Sequence, residues 1–115
     1  MQNGYFYSRE SETFTFLRVP KALLTSERYK GLSGDGVLLY SLMVDRVNLS
    51  RQNNWVDEQG RIYIYFTIDE IMATFGFAKA KACSLLAKIC DMELAEKKPQ
   101  GQGKPNILYP KKFEC

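Results

Sequence analysis

Lysines set the chemistry open to this chain. Lys79, Lys81 and Lys88 recur at helical spacing with Ser84 among them, and Lys97, Lys98, Gln102 and Lys104 follow a little further on. Ammonium groups placed this way can neutralise the phosphates of a polyanion, while a hydroxyl or an amide beside them can donate or accept at base edges. The distribution of charge points the same way. Residues 1–75 hold eight basic and nine acidic side chains, a net of −1, whereas residues 76–115 hold eight basic and four acidic, a net of +4. The formal charge of +3 is therefore gathered at one end. A polyanion-binding face accounts for this, although a lysine-rich solvated surface gives the same totals.

Other chemistries lose a required part. The chain has no histidine, which removes catalytic triads, histidine general bases and Cys/His zinc sites. An enzyme would be left with carboxylates, and Asp57-Glu58 and Asp69-Glu70 fall where a turn and a helix start already favour acids. No enzymatic activity, metal, cofactor or small-molecule substrate is expected. Gly34-Asp35-Gly36 does not follow a clear strand, and Gly101-Gln102-Gly103-Lys104 lacks the Ser/Thr and the helix of a phosphate loop. Cys83, Cys90 and Cys115 fit neither a disulfide framework nor a metal-ligand spacing. They read as free thiols of a reducing compartment, the first two as small core residues and the last as exposed. No run approaches the roughly 20 apolar residues of a membrane span, and the first residues lack the blocks of a secretory signal. The expected location is the cytoplasm.

The lysines need elements to hold them, and 115 residues suffice for one domain. Residues 1–13 are polar with scattered aromatics and read as a flexible arm ahead of a domain over 14–113. Alternation in Thr13–Val19 predicts a short strand ended by Pro20, and Pro20-Lys21-Ala22-Leu23-Leu24 suits a short helix with proline first. The apolar face from about Asp35 to Leu49 predicts a buried helix, with a polar loop over Ser50–Asn54. Arg61–Phe66 is a β-branched and aromatic strand, with Ile62 and Ile64 pointing one way and Tyr63 and Tyr65 the other.

Thr67-Ile68-Asp69-Glu70 then has the residues of a capping box. Ile68, Ile71, Met72 and Phe75 share one helical face, and Gly76 ends the helix. A second helix from about Ala78 to Met92 gathers Ala82, Leu85, Leu86 and Ile89 on one side and Lys81, Ser84, Lys88 and Asp91 on the other. This is a helix-turn-helix pattern. Leu94–Lys98 and Asn106–Tyr109 add a β-hairpin around the Gly101/Gly103 bend, with Pro99 confined to a strand end or edge. Helix, strand, two helices and a hairpin are the order of a winged helix, an α+β fold whose C-terminal hairpin is the wing. In such a fold the second helix of the pair enters the major groove of double-stranded DNA. Lys79, Lys81, Ser84 and Lys88 would then read or flank base edges, and Lys97, Lys98, Gln102 and Lys104 would hold phosphate. On this reading, Lys81 and Lys88 share one continuous cationic surface with the hairpin lysines.

Longer matches accompany the pattern. Pro20-Lys21-Ala22-Leu23-Leu24, Tyr29-Lys30-Gly31-Leu32-Ser33 and Leu38-Leu39-Tyr40 precede the distinctive run Asp45-Arg46-Val47-Asn48-Leu49-Ser50-Arg51-Gln52-Asn53-Asn54-Trp55-Val56-Asp57. Gly60 to Thr67 and Gln100-Gly101-Gln102-Gly103-Lys104-Pro105-Asn106 complete the set. In these segments the chain resembles the N-terminal domain of the replication initiator protein A family of plasmids and integrative elements in Gram-positive bacteria. The resemblance implies a winged helix that binds repeated origin sites, commonly as a homodimer, joined to a C-terminal region. It points to Lys79 and Lys81 on the recognition helix and to Lys97, Lys98 and Lys104 on the wing. Arg46, Asn53 and Trp55 also match family positions and are read as structural: Arg46 paired with a carboxylate or a carbonyl, Trp55 in the core. A transcriptional regulator or an assembly module of the same fold remains the alternative.

Overall fold

The computed structural model of the chain describes residues 4, 5, 7, 15–101, 103, 104 and 106–114. Most of the expected arm, together with Phe14, Gln102 and Cys115, lies outside them. The elements run in the order α1 (Ala22–Thr25), a 3-10 turn (Glu27–Tyr29), α2 (Gly34–Gln52), α3 (Ile68–Phe75), α4 (Lys79–Asp91), β1 (Ala95–Lys98) and β2 (Ile107–Pro110). Residues 15–19 join no strand, so alternation did not suffice there, and Phe16 is 66% exposed. Pro20 sits just ahead of Lys21, the N-cap of α1, and not inside the helix.

Helix α2 is the spine. Ser33 caps it by accepting from the Gly36 amide at 3.2 Å, and Val37, Leu39, Tyr40 and Met43 are buried along it. The helix runs on to Gln52, through residues expected to form a loop. Ser50 turns inward, and Arg51 donates to Asn48 Oδ1 at 3.2 Å one turn back, so polar residues continue the helix at its exposed edge. Asn54, with φ of 61°, then turns the chain away.

The extended segment after that turn is tied to the rest by single bridges and not by a full strand ladder. Val56 bridges Ile62, and Ile64 bridges Leu108 of β2 with hydrogen bonds of 2.8 and 3.0 Å. Ile64 and Phe66 are buried, as the alternation requires, while Tyr63 and Tyr65 are half-buried on the other side. Trp55 is also half-buried and not a core residue, its ring meeting Tyr65 edge-on at 5.1 Å.

Arg46 locks this segment to both α2 and α3. It donates to the Tyr65 carbonyl at 2.6 Å and to Glu70 Oε2 at 3.1 Å, and its guanidinium lies 4.0 Å from the Phe66 ring centroid. The carboxylate and the carbonyl, offered as alternatives from the sequence, are both engaged. Leu23, Tyr29, Ile71, Ala82, Ile89, Leu94 and Leu108 complete one core shared by all the helices and the hairpin. The Tyr40 hydroxyl, with its pKa pushed up to about 12 by burial and the nearby Tyr29, donates to the Lys111 carbonyl.

Candidate nucleic-acid interface

The helix pair forms for local reasons. Thr67 Oγ1 accepts from the Glu70 amide at 3.1 Å, and Glu70 Oε1 accepts from the Thr67 amide at 3.1 Å, completing the capping box. Glu70 feels some desolvation, yet the Thr67 amide and Arg46 hold its carboxyl below the usual range. Gly76 ends α3 with φ of 75°, in the left-handed region that a side chain disfavours. Phe75 and Phe77 stack across the turn with centroids 4.9 Å apart. Helix α4 then begins at Lys79 after Ala78, which offers no side-chain cap and leaves the first amide donors of the helix without that partner.

Ala82, Leu86 and Ile89 are buried and Leu85 is partly so, which fixes the rotation of α4. At about 100° per residue, Ala80, Ser84, Ala87 and Asp91 must then face outward. All four are exposed. Lys81 and Lys88 lie along the flank of α4 that meets α2 and its preceding loop. The Lys81 ammonium sits 2.7 Å from Asp35 Oδ2 and 4.3 Å from the Phe77 ring centroid. Lys88 reaches across Gly31, its Nζ 3.8 Å from where a Cβ on that glycine would lie.

The opposite flank of α4 faces the wing. A groove of about 760 Å³ runs between them, with Cys83, Ala87 and Asp91 on the helix side and Lys97, Lys104 and Asn106 on the hairpin side. Strands β1 and β2 pair antiparallel, Lys97 opposite Leu108 and Lys98 opposite Ile107. Ala95 is buried beneath the same groove that Lys97 lines. Neighbouring strand residues face opposite ways, and Lys98 accordingly lies on the other side of the wing, beside Asp57, Glu58 and Tyr63. Pro99 follows the last paired residue of β1, and Gly101 and Gly103 turn the tip with φ of 118° and 80°.

The expected single cationic surface is therefore corrected to two lysine flanks, Lys81 and Lys88 on one and Lys97 and Lys104 on the other, with the outward strip of α4 between them. Helix rotation imposes the split, because the α2 and wing contacts lie on opposite sides of α4. The groove is also mixed in charge. Asp91, Glu93 and Glu96 line it, and Lys111 approaches Glu96 at 3.9 Å. Cys83 is exposed in this groove, contrary to its reading as a core residue, and Cys90 is half-buried. Burial pushes the Cys90 thiol up while the Lys97 ammonium pulls it down, so β1 lies within electrostatic reach of α4. Lys79 is exposed at the start of α4, and Gln102 lies outside the described residues. Asp35, Ala80, Ala87 and Lys111 were not singled out from the sequence. A wheel centred on the outward face would have found the two alanines, whereas the Lys81–Asp35 pair joins distant segments and has no local signal.

A helix pair whose first member carries a capping box and whose second has an open outward face, with an antiparallel hairpin beside it, defines a winged helix-turn-helix domain. Residues 15–115 match the family described as the Replication initiator protein A (RepA) N-terminus, and the chain belongs to that family. It is 36% identical over 98 residues to a 41 kDa protein of Lactobacillus helveticus, a match covering 83% of this chain and 27% of that protein. The chain thus spans about a quarter of the length of that relative. Among solved structures it is similar to the N-terminal domain of a DNA binding protein, with 37% identity, a TM-score of 0.80, and coverage of 99% of this chain and 87% of the other. A Rep-DNA complex shares 36% identity at a TM-score of 0.80, covering 96% and 85%. An MDR initiator shares 28% identity at 0.76, covering 96% and 88%.

Proposed function

We propose that this chain is the origin-recognition domain of a replication initiator, binding double-stranded DNA without catalysing a reaction on it. One observation carries the reading: the outward strip of α4 is open and lies between two lysine flanks, so the strip can enter a major groove while the flanks meet the phosphates on either side. Lys81 and Lys88 serve one side, Lys97 and Lys104 the other, Lys79 adds charge at the start of α4, and Ser84 faces the bases. Gln102 contributes a neutral amide between Gly101 and Gly103, and Lys98, on the outer wing face, adds positive potential at a distance without a phosphate contact of its own. The likeness to a Rep-DNA complex supports the reading.

Binding alone suffices for this role, and one carboxylate of each acidic pair is already committed. Asp57 accepts from the Gln59 and Arg61 amides, both at 2.9 Å, and Glu70 belongs to the cap and the Arg46 pair. The domain works in the cytoplasm as a homodimer on repeated origin sites. None of the helices among the described residues is long and apolar enough to cross a membrane.

Footprinting on the replicon that encodes the chain tests the role. Protection of clustered direct repeats inside an origin is expected. Protection of a single promoter palindrome would reassign the domain to transcriptional control, and failure to shift any duplex at low salt, with clean dimerisation, would make it an assembly module.

A further inference from the structure

The outward strip of α4 carries no long side chain. Ala80, Ser84 and Ala87 occupy its first two-thirds and Asp91 its end, all exposed. The lysines nearest the strip are drawn to its edges, Lys81 to Asp35 at 2.7 Å and Lys88 across Gly31. Reading guanine in the major groove takes a donor such as arginine or lysine aimed at O6 and N7, and reading adenine takes asparagine or glutamine. The strip has none of these. What it offers instead are two methyl groups on a surface short enough to approach the groove floor closely, and the matching feature of a base edge is the C5-methyl of thymine. Asp91 repels phosphate, so the N-terminal half of the helix goes in deepest.

Resting on the reading of this domain as a duplex binder, we infer that α4 recognises its site through thymine methyl groups, one packed against Ala80 and one against Ala87. The two alanines are seven residues apart, about 10.5 Å along the helix axis. That distance corresponds to about three base-pair steps of about 3.4 Å. Each site therefore carries two thymines at that spacing, with the Ser84 hydroxyl between them tolerant of donor or acceptor. Specificity arises from shape and apolar contact at the centre, and the lysine flanks set affinity and register without sequence information.

The test uses this chain and duplexes selected from a random library. Enrichment of two thymines, about three steps apart, is the expected result. Replacing either thymine with uracil keeps the base pair and deletes only the methyl, and it should weaken binding about fourfold per methyl, the value of burying one such group. Ala87→Gly should abolish the thymine-to-uracil difference at one position and keep it at the other, and Ala80→Gly should do the reverse, with circular dichroism confirming that both variants keep the helix. Selected sites with guanine at those positions, or equal affinity for thymine and uracil duplexes, would overturn this inference while leaving DNA binding intact. Failure to retain any duplex at low salt would overturn both.

Discussion

Substituting Lys97 and Lys104 together with alanine should change how binding responds to salt, and the structure fixes by how much. Both side chains line the groove that faces α4, and each is exposed. If each ammonium displaces one condensed counterion from the duplex, the slope of log K against log salt becomes shallower by about 0.9 per lysine, or about 1.8 for the pair. Over a fourfold rise in salt the double variant should then lose roughly tenfold less affinity than the parent. Lys98, one residue away, lies on the outer face of the wing beside Asp57 and Glu58. Its substitution should leave the slope nearly unchanged. Fluorescence anisotropy with one labelled duplex between about 50 and 200 mM salt resolves the difference. The assignment of the two wing faces fails if Lys98→Ala flattens the slope as much as Lys97→Ala, or if the double variant keeps the parental slope.

Four further outcomes follow from the same contacts. Asp35→Asn removes the carboxylate that holds Lys81 at 2.7 Å; duplex affinity should rise with little change in Tm, since exposed pairs contribute at most about 1 kcal/mol. Ala78→Asp supplies the missing cap of α4 and should stabilise the fold by about 1 kcal/mol in urea titration while weakening DNA binding through phosphate repulsion. Arg46→Met leaves the Tyr65 carbonyl and Glu70 without their shared donor and should cost about 2 kcal/mol of stability by the same titration. Asp57 is held down to about 2: desolvation, the largest single effect, opposes the shift, but hydrogen bonds from Arg61, Gln59 and Tyr109 together outweigh it. Because its folded pKa lies below the roughly 3.9 of an unfolded aspartate, its stabilisation is complete above about pH 4 and drains away towards pH 2. The urea midpoint of Asp57→Asn should lack that part of the acid dependence.

Signals confined to one turn of chain were legible in the sequence. The Thr67/Glu70 box, the stop at Gly76 and the Ala82, Leu86 and Ile89 face each depend on neighbours three to seven residues apart, and each is found in place. Arg46 was legible in kind through its match to a family position, and the structure supplies the acceptors, the Tyr65 carbonyl and Glu70. The Lys97/Lys98 split is written into β1 itself, because period-2 geometry sends adjacent residues to opposite faces. Contacts between distant segments were not legible. Nothing near Lys81 indicates that Asp35 will approach it, and nothing in the alternation of Thr13–Val19 shows that its described residues, 15–19, will join no strand. The end of α2 was missed for another reason: a polar run reads as loop by composition, whereas Ser50 and Arg51 make the inward and i−3 contacts of a helix.

The wing is fixed at its base, where Lys97 lies, and Lys104 lies beyond the paired strands, which divides the work of its two groove lysines. Leu108 exchanges both hydrogen bonds with Ile64, Lys111 donates to the Leu94 carbonyl at 2.8 Å, and the Tyr109 hydroxyl donates to Asp57 Oδ2 at 3.1 Å. Lys97, paired opposite Leu108, is therefore held at a set distance from α4 before any ligand arrives. Lys104 sits beyond the paired strands, where the loop bond from its amide to the Gly101 carbonyl is 3.3 Å long. Ordering a side chain on a preset backbone costs less than ordering the loop and the side chain together. Of two lysines with equal charge, Lys97 therefore contributes more to affinity and sets the register, while Lys104 follows the phosphate path that the register leaves to it.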